Sequence, residues 1–426
     1  MKVETKESET HSFVSLLHKD AQTAVAYFSV DIHSSSSLEL EVTEYLYQEL
    51  LLSGTKKLSR EAFLDELNKL GSSISVSLSD GVVTYVVKSI ATNYRKTLVL
   101  FEQLMLEPAF KNSELERVKK TAKNILNDSA EDSRYISHAL IRKNLYKKND
   151  RHYTYLPKEL LTEIDKLTTN HFVSLHKTIR STYLRTTVTG DQKTITDTYS
   201  VVKKLSPKEV LSPVAEQGQS KPVGKVVFEA IPSRQNIDFN IGAPLPITLH
   251  HPDYAALNFG LAVLGKWGGF AGRLMSTVRE KEGLTYGIYA KLDGFYHNEL
   301  GYWRIMTFFS PDKAIEGLTS TFREIKGILK GGVTDEEFTR FKNILKTQQV
   351  LVNDSASSRA AELHSFHQQG FSLEEMEMFK TRLLNVTKAE VNAALKKYIE
   401  PSKLIISAAG PIASVRKDIT NFQKKQ

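Results

Sequence analysis

The second half of this 426-residue chain repeats the first half in order, and this internal duplication constrains the fold more than any other feature. The segment Arg273 to Gly294 has the same length as Arg60 to Gly81 and matches it at both ends. Thr186 to Gly190 recurs as Ile406 to Gly410, and the offset between matching segments is roughly 220 residues over most of the chain. Collinear matches of this kind indicate two related domains that face each other, with the natural site in the cleft between them.

Both halves predict the same order of elements, namely two strands, two helices and a further strand. In the first half, the apolar spacing predicts strands Phe13 to Leu17 and Ala24 to Asp31, helices Leu38 to Leu52 and Arg60 to Leu70, and a hairpin of Ser73 to Leu78 with Val82 to Lys88. In the second half it predicts strands Val226 to Ala230 and Ile237 to Ala243, helices Pro252 to Leu264 and Arg273 to Glu282, and a strand that ends at Asp293-Gly294. This order indicates an α+β fold made of two homologous α/β-sandwich halves.

A stretch rich in Pro, Gly, Ser and Gln separates the two halves and has the composition of an exposed linker. We therefore predict an N-terminal domain of residues 1–205, a linker of residues 206–224 and a C-terminal domain of residues 225–426. The length of the chain also exceeds the usual size of a single core, which favours two domains.

Composition excludes several classes of function. Without cysteine, the chain forms no disulfide and no thiolate metal site. Its formal charge of +8 comes from basic residues spread among acids, with no basic cluster interleaved with aromatics, which argues against nucleic-acid binding. The chain has no apolar signal region and no run of ~18 apolar residues, so we expect a cytoplasmic protein without a membrane span, or a periplasmic or organellar one if a leader was removed.

Arg279 and Tyr286 are the strongest candidates for chemistry. The helix predicted from Arg273 should end at Gly283, which places Arg279 in its last turn and Tyr286 near the start of the next strand. A guanidinium and a phenol on neighbouring rigid elements can both donate hydrogen bonds to one carbonyl oxygen, and such donors matter most when that oxygen gains charge. From spacing alone an alternative stays open, in which Arg279 complements the helix dipole and Tyr286 is an ordinary strand residue.

The whole pattern resembles the pitrilysin and insulysin family of zinc metallopeptidases, the inverzincins, and in particular its short two-domain bacterial members and processing peptidases. In the first half, LYQELLLSGTKKLSREAFLDELNKLGSSISVSLSDGVVTYVV resembles the family's motif helix, second helix and hairpin, and LMLEPAF matches its next landmark. In the second half, LGKWGGFAGRLMSTVREKEGLTYGIYAKL resembles the substrate-binding segment, including the spacing from Arg279 to Tyr286. The resemblance covers nearly the whole chain and implies that these two residues hold the substrate carbonyl and stabilise the developing oxyanion.

The chain departs from this family at the zinc motif. Family members carry H-x-x-E-H before a Gly-Thr pair, and the two histidines bind zinc while the glutamate acts on the bound water. Counted back from Gly54-Thr55, those positions hold Tyr45, Gln48 and Glu49. A phenol, an amide and one carboxylate cannot form this site, and the segment Arg117 to Asp128, on the helix of the family's third ligand, contains no glutamate. We therefore predict that this chain binds no metal.

Two segments fall where the family has inward-facing sheet edges, Ser73 to Ser77 and Tyr286 to Ala290. An extended peptide can be held at such an edge through its main chain, so Ser75, Val76 and Tyr289 are predicted to bind substrate. The alternative, ordinary paired interior strands, explains the same residues about as well.

Two other features carry less weight. The glycines of Lys266 to Gly272 fit a turn between helices, with a flexible substrate loop as the alternative, and they lack the Lys-Ser or Lys-Thr of a phosphate-binding loop. His364 and His367 could share a helical face and bind a metal, but no carboxylate stands at a ligand spacing beside them, which favours a polar helix surface.

The resemblance and the altered motif together predict the non-zinc-binding subunit of a heterodimeric zinc metallopeptidase. A homologous partner subunit with H-x-x-E-H would supply the zinc, and this chain, which would hold no cofactor and be inactive alone, would supply Arg279 and Tyr286 to a peptide substrate. Two alternatives remain open. One is a catalytically inactive scaffold or core subunit, like the peptidase-related subunits of the respiratory cytochrome complex, and the other is a peptide-binding protein that acts alone.

Overall fold

The computed structural model describes residues 2–32, 35–211, 218–219, 223–265, 272–296 and 299–426, which form a mixed α and β structure with two sheets. The strands are β1 (Lys2–Glu7), β2 (His11–Leu17), β3 (Thr23–Asp31), β4 (Ser73–Ser79), β5 (Val82–Ile90), β6 (Leu184–Gly190), β7 (Lys225–Ala230), β8 (Ile237–Pro244), β9 (Ile288–Asp293), β10 (Tyr302–Phe309) and β11 (Ile405–Gly410). The α-helices are α1 (Leu38–Leu51), α2 (Arg60–Lys69), α3 (Tyr94–Leu106), α4 (Asn112–Ala130), α5 (Ser133–Leu145), α6 (Pro157–Ile164), α7 (Thr169–Arg180), α8 (Gln192–Leu205), α9 (Tyr254–Leu264), α10 (Ala314–Gly331), α11 (Asp335–Leu351), α12 (Ala356–His367), α13 (Leu373–Asn385), α14 (Lys388–Tyr398) and α15 (Arg416–Lys424). A π-helical turn spans Met275–Lys281.

The two sheets share one topology, which confirms the predicted α+β fold with two homologous halves. The first sheet has the strand order β1-β2-β6-β3-β5-β4, and the second has the order β7-β11-β8-β10-β9. If β1 is set aside, each sheet begins with one parallel pair at its edge. This pair is β2 with β6 in the first sheet and β7 with β11 in the second. Three antiparallel pairings follow in each sheet. In the described residues of the second half, β1 has no equivalent strand.

Contacts between residues in space divide the chain into two compact units, and each unit combines segments from both halves. Unit 1 contains Met1–Asn124, Leu160–Ala215 and Gln349–Met376, and unit 2 contains Ile125–Glu159, Glu216–Gln348 and Glu377–Gln426. These units differ in extent from the predicted domains 1–205 and 225–426, so the predicted boundary at residues 206–224 stays a prediction. Residues 212–217 and 220–222 of that linker, and Lys266 to Ala271 of the predicted glycine turn, lie outside the described residues.

Two equivalent helices cause this exchange of segments. Helix α5, from the first half of the chain, packs on β7, β11 and β8 in unit 2. Helix α12, from the second half, packs on β2, β6 and β3 in unit 1. Each helix therefore covers the parallel pair of strands and the next strand in the sheet of the other half.

The same strand position contacts the covering helix in both units. In unit 1, Thr187 lies opposite Tyr27 in the sheet, and its Oγ1 lies 3.1 Å from Nδ1 of both His364 and His367 of α12. His364 and His367 are only 3% and 6% exposed, so the predicted polar helix surface is wrong: these side chains face the sheet.

In unit 2, the equivalent Ser407 lies opposite Asn240. Asn240 Nδ2 donates a hydrogen bond to Ser137 Oγ of α5 at 2.8 Å, and Ser407 Oγ donates one to the Ser137 carbonyl at 2.7 Å. Polar side chains on one face of each sheet thus select the helix that covers it, because buried polar groups require partners.

The opposite face of the unit 2 sheet carries the apolar core. Ile237, Phe239 and Ile241 alternate along β8 toward this core, and every residue of α9 is buried. A helix that is apolar on all sides is typical of a position between a sheet and outer helices. Across the described part of the chain, no helix combines the length and apolar character that crossing a bilayer requires.

Candidate functional site

Arg279 and Tyr286 lie together in unit 2, as their spacing predicts. The guanidinium carbon of Arg279 lies 5.0 Å from the centre of the Tyr286 ring, within the range of a cation–π contact. Tyr286 is 77% exposed, so its phenol group reaches solvent. The structure therefore places two hydrogen-bond donors side by side at an accessible position.

The segment before Tyr286 is a π-helical turn rather than the predicted α-helix. Its backbone bonds span five residues, as between the Glu282 N–H and the Thr277 carbonyl at 3.0 Å. Gly283 ends the turn with a φ of +63°, as the sequence predicts for a helix stop. Single π-helical turns occur often at functional sites, because the wider turn re-aims the side chains that it carries.

Two buried threonines fix the backbone on which Tyr286 stands. The Gly287 N–H donates a hydrogen bond to Thr285 Oγ1 at 3.2 Å, and Thr307 Oγ1 donates one to the Gly287 carbonyl at 3.1 Å. Thr285, which precedes β9, and Thr307 of β10 are both buried. They hold the main chain so that the Tyr286 ring points away from the core.

A cavity of about 210 Å³ opens beside Tyr286 in unit 2. Its floor is formed by Met306 and Phe308, which are half-buried on the face of β10 opposite the core. Arg134 and Ser137 of α5 line its other side. The cavity exists because α5 packs on β7, β11 and β8, so that this helix leaves β10 and β9 uncovered.

Asp238 is the buried acid of this cavity. It is 9% exposed, and Ser133 Oγ donates a hydrogen bond to its Oδ2 at 2.5 Å. Burial raises the pKa of Asp238, while the Ser133 bond and the positive charges of Arg134 and Arg234 oppose this effect. Asp238 therefore adds a buried carboxyl group to the lining of the cavity.

Tyr289 lines the same cavity from β9. Its ring lies over Gly287, where an added Cβ would come within 3.0 Å of the ring. The outer edge of β9 is partly covered by the chain itself, since the Ala290 N–H donates to the Gly265 carbonyl at 3.1 Å. The side chain of Tyr289 is accordingly better placed to meet a ligand than the main chain of β9.

The positions of the zinc motif lie on α1 in unit 1 and do not fit a metal. Arg117 Nη1 donates a hydrogen bond to Glu49 Oε1 at 2.7 Å, so the carboxylate that remains at the motif forms an ion pair with a guanidinium. Arg117 also binds Glu114 at 2.8 Å and Ser53 at 3.2 Å. A metal at this position would have to displace a fixed cation from its single carboxylate ligand.

The other two motif residues are poor metal ligands. Gln48 Nε2 donates to the Leu78 carbonyl on β4 at 3.3 Å, so its amide acts as a donor. Burial, followed by the negative charge of Glu49, raises the pKa of Tyr45, which keeps its phenol protonated. Among the residues that the structure describes, no group of three His, Cys, Asp or Glu side chains is arranged to hold a metal ion.

Ser75 and Val76 lie on β4, the strand at one edge of the first sheet. Ser75 is exposed and Val76 is half-buried. Among the described strands of that sheet, β4 pairs on one side only, and peptide addition uses an edge of this kind. Their predicted role in substrate binding stays a prediction.

The cavity residues Asp238, Met306 and Phe308 were not among the residues predicted from the sequence. One signal was available in β8, where Asp238 follows Ile237 and precedes Phe239 in an alternating strand. An acid on the second face of such a strand indicates that this face is not simply core. Strand β10 was not predicted, so nothing could have located Met306 and Phe308.

Comparison with protein-family models matches both halves of the chain. Residues 13–157 match the model described as Insulinase (Peptidase family M16), and residues 180–345 match the model described as Peptidase M16 inactive domain. A curated relative is the non-peptidase homolog YmxG of Helicobacter pylori, which is 23% identical over 367 residues and aligns with 84% of this chain and 82% of the relative.

Solved structures share the fold. A crystal structure of a peptidase M16 inactive domain from Pseudomonas fluorescens has a TM-score of 0.83 and 20% identity, covering 96% of this chain and 98% of that chain. A structure of a protease from Helicobacter pylori has a TM-score of 0.83 and 16% identity, covering 96% and 99%. Because the two family models together span most of the chain and both sheets share one topology, the chain belongs to the insulinase family, peptidase family M16, as a member whose zinc-motif positions hold Tyr45, Gln48 and Glu49.

Proposed function

We propose that this chain is the non-zinc subunit of a heterodimeric zinc endopeptidase. The observation that carries the proposal is the placement of the Arg279 guanidinium 5.0 Å from the ring of an exposed Tyr286, beside a cavity. The altered motif on α1 supports the other half of the proposal, because the chain offers no residue there to activate water. A homologous subunit with H-x-x-E-H would supply the zinc chemistry.

In this proposal, Arg279 and Tyr286 bind the carbonyl oxygen of the peptide bond to be cleaved. Both groups donate hydrogen bonds. The guanidinium is also positively charged, so its attraction to the oxygen strengthens as the oxygen becomes negative. The clamp of Thr285 and Thr307 on Gly287 limits the movement of Tyr286, so little reorganisation is needed during the reaction. These residues would therefore act mainly on the transition state and less on the bound substrate.

The substrate would be an extended peptide. The edge strand β4, with Ser75 and Val76, offers main-chain groups on one side, and the cavity beside Tyr289 offers space for a side chain. Each feature, taken within its own unit, supports a peptide as the ligand class.

Reconstitution with an H-x-x-E-H relative from the same cell tests the proposal. The chain alone should not cleave peptides, and the mixed pair should. In the pair, Arg279→Ala and Tyr286→Phe should each lower kcat, on the order of 100-fold for the loss of one oxyanion donor, with a much smaller change in KM.

Arg416→Ala is the matched control for Arg279→Ala. The Arg416 guanidinium also lies 5.0 Å from an aromatic ring, that of Phe228, so this variant loses the same type of contact elsewhere in unit 2. It should leave kcat unchanged. Full activity of both the Arg279 and Tyr286 variants would reject their catalytic role and favour the scaffold. If the chain binds peptides but forms no active pair with an H-x-x-E-H relative, a peptide-binding protein that acts alone is favoured.

A further inference from the structure

Strand β7 forms one edge of the second sheet, and among the residues that the structure describes it has a strand partner on one side only, β11. The strand reads KVVFEA, so the apolar residues Val226, Val227 and Phe228 stand together at its centre, and all three are half-buried. An edge of this kind offers a row of backbone N–H and C=O groups to a further strand.

The first half of the chain shows what the equivalent edge accepts. There β2, which corresponds to β7, carries β1 on its outer side as an antiparallel strand. Charged side chains on an edge strand oppose further edge-to-edge pairing, and β1 has them at Lys2, Glu4, Lys6 and Glu7. In the described part of the second half no strand equivalent to β1 covers β7, and the centre of β7 carries no charge. Strand β7 therefore lacks the protection that β1 has.

The sequence of β7 is complementary to itself when two copies run antiparallel about a two-fold axis at Val227. Directly opposite residues then point to the same face of the sheet, so their positions differ by an even number. With Val227 opposite its own copy, Val226 lies opposite Phe228 of the second copy, and Lys225 lies opposite Glu229. Val226 and Phe228 already pack against the apolar core of unit 2, so their contact continues that core across the axis.

The two charges select this register over its neighbours. Lys225 is exposed and has no acidic partner in the described part of the chain, and Glu229 meets only the 68% exposed Lys158, at 3.4 Å. A shift by two residues in either direction would place both Lys225 and Glu229 opposite a valine or an isoleucine. Opposite charges that face each other across an antiparallel pair are stabilising, and the symmetry forms this contact twice.

We propose that two copies of this chain associate through β7, with Lys225 of each copy opposite Glu229 of the other, so that their second sheets join into one continuous sheet. Three strands separate β7 from β9, a distance of roughly 19 Å at the usual strand spacing. The pairing therefore leaves Arg279 and Tyr286, which precede β9, free to meet another partner. The inference goes beyond the proposed function and does not depend on it.

Sedimentation equilibrium of the full chain at several protein concentrations tests this inference. The unaltered chain should pass from monomer to dimer as its concentration rises. Lys225→Glu leaves two acids at the paired positions and Glu229→Lys leaves two bases, so each variant alone should dimerise about tenfold more weakly. An equimolar mixture of the two variants should restore the dimer, because every acid then faces a base. Lys326→Glu, at an exposed position of α10 in the same unit, is the control and should dimerise as the unaltered chain does.

Hydrogen exchange of the unaltered chain gives a second measurement, which does not depend on how a variant folds. Amides of β7 should exchange more slowly as the protein concentration rises, while those of the charged edge β1 should not change. A chain that stays monomeric at every concentration overturns the inference. A dimer that neither single variant weakens, or that their mixture fails to restore, also overturns it, since the two copies would then meet through another surface or in another register.

Discussion

Arg117 Nη1 lies 2.7 Å from Glu49 Oε1, so a protein cation neutralises the carboxylate that remains at the altered zinc motif. The two side chains are 34% and 45% exposed, and ion pairs at such positions contribute at most about 1 kcal/mol to stability. The pair therefore matters less for the fold than for what it prevents. A metal ion at Glu49 would meet the positive charge of Arg117.

The first prediction concerns zinc. Purified under non-chelating conditions, the chain should contain far less than one zinc per molecule, because Tyr45, Gln48 and Glu49 cannot form a three-ligand site. Elemental analysis by mass spectrometry measures this directly, with an H-x-x-E-H relative as the positive control. Arg117→Met should not create a site, since the two carboxylates that it frees, Glu49 and Glu114, have no third ligand arranged beside them in the described part of the chain. About one tightly bound zinc per chain, lost in Glu49→Ala, would contradict the prediction.

A second prediction concerns the support of Tyr286. Thr307→Val preserves shape and removes the hydroxyl that donates to the Gly287 carbonyl at 3.1 Å. The free energy of unfolding should fall by about 1 kcal/mol, and kcat of the reconstituted pair should fall with little change in KM, because Tyr286 loses its fixed backbone. Thr319→Val is the control, since it removes a 2.7 Å bond to the Ile315 carbonyl on an exposed helical turn. A loss of stability with unchanged kcat would assign Thr307 a purely structural role.

A third prediction concerns pH. Burial, with the nearby charge of Arg185, lowers the pKa of His364 and His367 to about 3, from an ordinary value of 6.5. For His364, the charge of His367 acts in the same direction. The unfolded chain therefore binds more protons than the folded chain between these values. The contribution of these histidines to the free energy of unfolding should be fully present above pH 6.5. The free energy of unfolding should fall as the pH drops from 6.5 toward 3, by up to about 1.4 kcal/mol per pH unit for each histidine.

Urea unfolding followed by circular dichroism at several pH values between 7.5 and 4.5 measures this slope. The double variant His364→Asn and His367→Gln cannot gain these protons, so its stability should depend less on pH. His18→Asn, at an exposed position, should behave as the unaltered chain. An unchanged slope in the double variant would show that these two histidines do not govern acid sensitivity.

The regular elements could be predicted from local patterns, because capping residues and apolar spacing act within one element. Ser37 and Ser59 accept hydrogen bonds at the starts of α1 and α2, and both helices begin where predicted. The hairpin at Asp80-Gly81 has φ values of 50° and 74°, as its Asp-Gly signal indicates. Strand β1 was missed because it is a charged, mostly exposed edge strand without an apolar face.

The candidate site could be predicted only in part. The pair of Arg279 and Tyr286 follows from local spacing and from the family resemblance, and the structure brings the two together. The cavity beside them depends on α5, which comes from the other half of the chain, and no local pattern encodes that contact. For the same reason, the sequence suggested a helix surface for His364 and His367, which are buried against the sheet of unit 1.

The fourth prediction tests whether the two halves are autonomous. Residues 1–211, produced alone, lack α12, so Ser12 and Thr187 lose their contacts with His367 at 2.5 and 3.1 Å. Residues 218–426 lack α5, so Asn240 and Ser407 lose Ser137. Unpaired polar groups on a sheet face lower stability, and each half should therefore unfold without a cooperative transition. Produced together, the two halves should associate and unfold as the intact chain does.

Size-exclusion chromatography with light scattering, combined with circular dichroism, measures association and cooperativity of the two halves. Leu363→Asp should block association, because Leu363 of α12 is 2% exposed and packs with Leu16 and Met376 in unit 1. Ala361→Asp changes an exposed residue two positions earlier on α12, and it should not block association. Two halves that each fold cooperatively alone, with the stability of the intact chain, would instead support domains bounded by residues 206–224. Failure of each half alone, with recovery on mixing, would show that the exchange of α5 and α12 makes the duplicated halves depend on each other.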